Sequence, residues 1–338
     1  MANPIRVLVV EDSAFMRNAL KRRIESDPRF KVIDTAENGR EGVDKTVRLK
    51  PDVVTLDVEM PVMNGLEALK EIVAKTAVPV LMVSAVTEAG AKITIDALTI
   101  GAVDFIPKSK GAELIHEKLL AAVNAGLSRR IMATRRFAPG PAARPTLAMQ
   151  RVPARIVVIG SSTGGPQALQ EVIRTLPAAF PVPVVVAQHM PPQFTLALAK
   201  RLNDLSPVKV VEADDGMPLT GGTVYIGPGG MHLRVSTTHI RVEQDRGESL
   251  YKPSVDVLAA SATAAFGKQV LGVMLTGMGN DGAREFVKLH KSGGYTLVQD
   301  QTTCVVYGMP RAVADAGAAN EVLPLEQIGP RIRSSLGV

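Results

Sequence analysis

The run Gly160-Ser161-Ser162-Thr163-Gly164-Gly165 places hydroxyls between an apolar stretch, Arg155-Ile156-Val157-Val158-Ile159, and Pro166 with a helix-like pattern from Gln167 to Leu176. A hydroxyl on a strand-to-helix turn sits at the positive end of the helix, and small neighbours let a substrate reach the backbone. Such a turn serves a nucleophile or cradles an anion. The run lacks the Gly-Lys-Ser/Thr of a P-loop and the Gly-x-Gly-x-x-Gly of a dinucleotide site. Residues Gly160 to Gly164 do satisfy Gly-x-Ser-x-Gly, the nucleophile-elbow pattern. Alone, that pentapeptide is equally a tight turn with a capping serine, so a base and an acid must be sought. Of the five histidines, His189 ends an apolar strand at 183–187 and can share a carboxyl edge with Ser162. His232, behind a Gly-rich turn, is a second candidate, whereas His116, His239 and His290 have no catalytic context. Asp281 follows the apolar run 270–275 through a Gly-rich turn, with Asp256 and Asp300 as rival acids. Together Ser162, His189 and Asp281 would attack an acyl carbon, carry the serine proton and hold the imidazole. Amides at the Gly-rich turns would face the oxyanion. The order Ser, His, Asp differs from that of α/β-hydrolases, so the triad would be an independent arrangement.

A second set of polar residues lies in the first half. Five apolar runs, Ile5–Val10, Phe30–Ala36, Val53–Asp57, Val80–Ser84 and 104–108, alternate with helical stretches, the last at 112–127. Repeated βα units imply a parallel sheet with helices on both faces, and ligands of such sheets gather at the carboxyl ends of strands. Glu11 and Asp12 end the first run, Asp57 the third, Ser84 the fourth and Lys108 the fifth. Three converging carboxylates repel unless they hold a cation, and their hard oxygen ligands favour Mg2+. A lysine opposite them suits a phosphoryl oxygen. Each residue alone is an ordinary polar strand end; their convergence argues for a site.

The segments Val10-Glu11-Asp12-Ser13, Asp57-Val58-Glu59-Met60-Pro61-Val62-Met63-Asn64-Gly65 and Asp104-Phe105-Ile106-Pro107-Lys108 resemble the response-regulator receiver family over the whole first half. The resemblance implies that Asp57 accepts a phosphoryl group from a chemotaxis histidine kinase. It also implies that Glu11, Asp12 and Asp57 bind Mg2+, that Lys108 contacts the phosphoryl group, and that Ser84 and Phe105 form a switch pair. In that scheme Ser84 moves to the phosphoryl group and leaves space for Phe105 to turn inward. Glu11 stands where many receivers have Asp.

The second half repeats the α/β alternation, with strands expected at 156–159, 183–187, 208–212, 223–226, 232–236, 240–244, 270–275 and 295–299. Helices are expected at 167–176, 253–266 and 283–291. A Rossmann-like, doubly wound, mostly parallel sheet with an antiparallel part is the natural assembly. Here Gly160 to Pro166, Gln188-His189-Met190, Pro253-Ser254-Val255-Asp256, Leu275 to Gly282 and Tyr307-Gly308-Met309-Pro310 resemble the catalytic domain of chemotaxis protein-glutamate methylesterases. The resemblance makes Ser162 the nucleophile, His189 the base and Asp281 the acid, with Thr163 and Met278 lining the oxyanion site or orienting the histidine. Ser161, where relatives often have Ala, is a spectator. The implied activity is hydrolysis of glutamate γ-methyl esters on methyl-accepting chemoreceptors, with glutamine deamidation in some members, gated by the receiver, which at rest covers the esterase's carboxyl edge. The alternative is a phosphorylation-switched adaptor with an inactive hydrolase-like domain.

The bulk composition agrees. A chain of 338 residues, 46% hydrophobic, suggests two domains with their own cores. The boundaries read as 1–127 for the receiver, 128–153 for a linker and 154–338 for the catalytic domain. The net charge of +6 is local: residues 128–155 hold seven arginines and no acid, leaving the rest at −1. With Pro139, Pro141, Pro145 and Pro153 in that stretch, it reads as a solvated linker. Only 4% of residues are aromatic, so nucleic-acid binding is not expected. No apolar run is long enough to span a membrane, no signal peptide is evident, and the single Cys304 excludes an internal disulfide and suits the cytoplasm.

Overall fold

Short apolar runs separated by amphipathic stretches fold into two parallel sheets, one in each of the compact units Met1–Pro139 and Gly140–Val338. The structure is a computed structural model that describes residues 3–85, 87–108, 112–135, 151–244 and 250–338.

In the first unit, β1 (Ile5–Val10), β2 (Phe30–Ala36), β3 (Val53–Asp57), β4 (Val80–Ser84) and β5 (Asp104–Pro107) form a sheet of order β2-β1-β3-β4-β5. Every residue of β3, β4 and β5 is buried, as expected for parallel strands covered on both faces. The helices are α1 (Ala14–Glu25), α2 (Gly39–Leu49), α3 (Gly65–Lys75), α4 (Glu88–Ile100) and α5 (Ala112–Arg135). Side chains start four of them: Ser13 accepts from the Met16 amide, Asn38 from that of Glu41, Thr87 from that of Gly90, and Asn64 with Glu67 closes a capping box. The chain leaves β1 toward β2 on one side and β3 on the other, so a crevice opens at the carboxyl ends of β1 and β3. The last helix runs eight residues past the expected end at 127, through Arg135. Leu127 to Arg135 contains no proline or glycine and is rich in residues that favour helix. Residues 136–150, most of the expected linker, lie outside the described residues.

The second unit contains β6 (Ile156–Ser161), α6 (Gly165–Ile173), β7 (Val184–Gln188), α7 (Pro192–Leu205), β8 (Lys209–Glu212), β9 (Thr223–Ile226), β10 (His232–Val235), β11 (Ile240–Glu243), α8 (Val255–Phe266) and β12 (Val270–Met274). It continues with α9 (Ala283–Lys291), β13 (Tyr295–Gln299), α10 (Met309–Asp315), β14 (Glu321–Leu323) and α11 (Leu325–Leu336). Seven strands in the order β14-β13-β12-β6-β7-β9-β8 make one sheet whose ladders all run parallel. The antiparallel part is a separate hairpin of β10 and β11. The elements α7, α10, β14 and α11 were not expected. The first opens at Pro191-Pro192 and the last contains Pro330, both of which read locally as breaks. At Gly160 a Cβ would lie 2.5 Å from Val255. The missing side chain thus lets the first turn of α8 pack onto the end of β6.

Candidate active site and acidic cluster

Because β12, β6 and β7 are consecutive in the sheet, the loops after them share one carboxyl edge. Ser162 is the first residue beyond β6. Its amide donates to the Thr276 carbonyl (3.0 Å), and its carbonyl accepts from the amide of Gly165 (2.8 Å) and from Nε2 of Gln188 (2.9 Å). Gly164 then turns the chain at φ 78°, where a Cβ would lie 2.5 Å from Val305. On the far side, a Cβ on Gly277 would lie 2.9 Å from that of Ser162. The amides of Gly308 and Met309 both donate to the Gly277 carbonyl, so the Tyr307-Gly308-Met309-Pro310 segment buttresses this turn. Backbone bonds therefore hold Ser162 from both sides. Its hydroxyl, half-exposed, has no hydrogen-bond partner among the described residues. The neighbouring Ser161 is fully buried and donates to Oε1 of Gln188 at 2.7 Å. Strand alternation thus separates the two serines, one facing the interior and one the edge.

His189, the residue after β7, donates its amide to the Ser161 carbonyl at 3.0 Å. Its Nε2 lies 2.8 Å from Oδ2 of Asp281, while Nδ1 is buried with no partner. The Asp281 carboxylate also accepts from Ser254 Oγ (2.9 Å) and the amides of Val255 (2.6 Å) and Asp256 (3.1 Å). Those donors form the first turn of α8, where free N–H groups and the helix dipole favour an anion. Burial alone would raise the Asp281 pKa, but the hydrogen bond and charge of His189, with these amides, hold it below the ordinary carboxylate value. Such an arrangement fixes the imidazole tautomer with its proton on Nε2 and a lone pair on Nδ1. The Tyr251 ring lies flat against that imidazole, centroids 4.3 Å apart and planes within 1°.

The rival residues do other work. Asp256 accepts from the Glu285 amide at 3.1 Å, and Asp300 closes a turn with Thr302 and Thr303. His232 lies on β10, in the hairpin outside the main sheet. Thr163 is buried, its carbonyl bound by Thr276 Oγ1 at 2.9 Å, and Met278 is half-buried in the Gly-rich turn. Sequence reasoning missed Tyr251, and it gave no role to Gln188 or Ser254, which stood only within segments that carry the methylesterase resemblance. A lone tyrosine carries no local mark of a site.

In the first unit, ligand oxygens of Glu11, Asp12 and Asp57 all lie within 4.8 Å of one another. Lys108 Nζ lies 2.9 Å from Asp57 Oδ2 and 3.0 Å from Glu11 Oε2, and donates to Glu11 Oε1 at 3.2 Å. Burial, with the Asp57 charge, raises the Glu11 pKa, and burial raises that of Asp57. Glu11 Oε2, although buried beside the ammonium, accepts no well-directed hydrogen bond. The buried carboxylates of Glu11 and Asp57, with the exposed Asp12 beside them, offer hard oxygen ligands that fit a divalent cation such as Mg2+. The Ser84 hydroxyl points into the loop after β4, donating to the Ala85 carbonyl (3.0 Å) and accepting from Thr94 Oγ1 (2.8 Å). Phe105 is already buried, with the Lys118 ammonium 5.2 Å from its centroid. Lys118 also pairs with Asp104 at 2.8 Å, so the cation over the Phe105 ring is held by a neighbouring carboxylate.

A five-stranded receiver-like sheet and a parallel α/β unit with a Ser-His-Asp edge define a response regulator joined to a hydrolase. The family model for CheB methylesterase matches residues 157–332, and that for the response regulator receiver domain matches residues 7–120. The chain belongs to the CheB methylesterase family. A Symbiobacterium thermophilum protein named protein-glutamate methylesterase/protein-glutamine glutaminase is 44% identical, covering 99% of this chain and 98% of its own length. One from Vibrio cholerae, named protein-glutamate methylesterase/protein-glutamine glutaminase 1, is 42% identical and covers 99% of both. The Thermotoga maritima CheB methylesterase catalytic domain superposes with a TM-score of 0.51 at 41% identity, covering 53% of this chain and 97% of that one. The adaptor alternative finds no support among these relatives. Among the described residues no helix is long and apolar enough to cross a membrane.

Proposed function

We propose that the second unit hydrolyses glutamate γ-methyl esters on methyl-accepting chemoreceptors and deamidates receptor glutamine, and that phosphorylation of Asp57 by a histidine kinase raises its rate. The observation that carries this reading is the His189 ring, bound to Asp281 through Nε2 and carrying an uncommitted Nδ1 on the edge that also holds Ser162. Nδ1 takes the proton as Ser162 Oγ bonds to the ester carbonyl carbon. The tetrahedral oxyanion is met by donors at the Thr163 and Met278 turns. The proton then passes to the departing oxygen and methanol leaves an acyl-enzyme. Nδ1 next draws a proton from water as its oxygen attacks the acyl carbon, giving glutamate and free Ser162. With a glutamine substrate the same steps release ammonia.

In the first unit, Glu11, Asp12 and Asp57 would hold Mg2+, which when bound supplies charge neutralisation for phosphoryl transfer. Asp57 Oδ is the acceptor, Lys108 binds a phosphoryl oxygen, and Ser84 and Phe105 respond to the added charge.

The test is methanol release from methyl-labelled receptor membranes, with wild type and Ser162→Ala, each with and without a small phosphodonor and Mg2+. Release that vanishes in Ser162→Ala and rises with phosphodonor in wild type is expected. Release unaffected by Ser162→Ala would overturn the assignment, and a wild-type rate indifferent to phosphodonor would overturn the regulation.

A further inference from the structure

Three residues apart, Tyr251 and Ser254 each touch one member of the same pair. Ser254 Oγ donates to Asp281 at 2.9 Å, and the Tyr251 ring lies parallel to that of His189 at 4.3 Å. The hydroxyl end of the tyrosine lies against the Gly-rich turn. A Cβ on Gly279, which has φ 82°, would lie 3.0 Å from Tyr251 Oη. The Gly-rich turn before Asp281 therefore leaves room for this ring. Segment 251–256 thus reaches both the base and the acid, although no part of it follows β6, β7 or β12.

We propose that Tyr251 is a positioning residue for His189 whose π face also stabilises the imidazolium formed in each proton transfer. This rests on the esterase reading above. As the Ser162 Oγ–C bond forms, the Oγ proton moves to Nδ1 and the neutral ring becomes a cation. Asp281 meets that charge at one edge, through Nε2. The positive charge is spread over the whole ring, however, and a parallel aromatic face meets it from above. The attraction between a cation and an aromatic quadrupole is weak for neutral imidazole and strong for imidazolium, so it acts where charge develops. It also restricts ring rotation about the Cβ–Cγ bond, adding to the restraint of the Asp281 hydrogen bond. Because Tyr251 acts on the base, its loss should lower kcat and leave KM unchanged.

The experiment replaces Tyr251 in the full-length protein with Phe, with pentafluorophenylalanine and with Leu, and follows methanol release from methyl-labelled receptor membranes with phosphodonor present. Phe keeps the negative face and should keep the wild-type kcat. Pentafluorophenylalanine keeps the ring's shape but reverses its quadrupole. It should lower kcat by between about 2- and 30-fold at constant KM. Leu removes both face and restraint and should cost more, approaching ~10²-fold. Equal kcat for the Phe and pentafluorophenylalanine proteins would overturn the proposal, as would a rise in KM at constant kcat. A parallel Ser162→Ala sample separates the two readings. Its loss of all release with no fluorine effect indicts only the tyrosine, whereas its undiminished release indicts the esterase assignment and this inference together.

Discussion

The Nε2 atom of His189 lies 2.8 Å from Oδ2 of Asp281, while Nδ1 of the same ring is buried without a partner. The familiar serine-protease template uses the ring the other way round, with Nδ1 toward the acid. Here the proton should reside on Nε2. Nitrogen NMR of the histidines at neutral pH should find His189 as the Nε2–H tautomer, and a ring protonated at Nδ1 would contradict the arrangement. Asp281→Asn can offer an amide hydrogen to Nε2 and draw the proton to Nδ1. It should cost about 10⁴-fold in kcat, measured as methanol release.

Asp281 also links the site to stability. Its pKa is below the ordinary carboxylate value, so folding favours the ionised form. The stability it contributes is present above the unfolded carboxylate range and lost as pH falls through the lowered native value. Urea midpoints of wild type and Asp281→Asn, followed from neutral pH into acid, should therefore converge. A constant separation would show that the carboxylate charge contributes nothing.

The paired serines predict opposite phenotypes. Ser161→Ala leaves Gln188 Oε1 without its buried donor, which should cost about 1–3 kcal/mol of stability while methanol release persists. Ser162→Ala removes a hydroxyl with no partner among the described residues and should leave the urea midpoint unchanged while abolishing release. Denaturation and rate assays on both proteins check the contrast.

Mg2+ should stabilise the first unit. Bound to the native cluster only, it contributes about 2.7 kcal/mol at a hundred times its Kd. The rise in melting temperature should disappear with chelator and in Asp57→Asn, which removes a carboxylate from the three within 4.8 Å. An equal rise in that variant would place the cation elsewhere.

Cys304 is buried, and burial, with the Asp300 charge, pushes its thiol far above neutral pH. The thiolate is the reactive form, so iodoacetamide at neutral pH should leave the native protein unlabelled and label it in urea. Rapid labelling of the folded chain would contradict the burial.

Much of the architecture was legible in local patterns. Parallel strands buried on both faces read as unbroken apolar runs, and all five in the first unit emerge within a residue of their expected bounds. The end of α5 was not legible, because arginines announce solvent exposure without terminating a helix. Nor was α7, whose Pro191-Pro192 start looks like a turn until Phe194 and Leu198 are seen buried.

Apolar length and the glycines after it are written locally, so the order of residues alone says which of them close each strand. That local record puts Ser162, His189, Glu11, Asp57 and Lys108 at strand ends and Asp281 beyond a glycine-rich turn. The tertiary structure decided what those ends meet. Strand order alone makes β12, β6 and β7 neighbours, and only packing brings the start of α8 onto Asp281 and the Tyr251 ring onto His189. Which nitrogen of an imidazole faces an acid, and which of two adjacent serines turns inward, depend on side-chain direction. Neighbours distant in sequence impose that direction, so no local pattern records it.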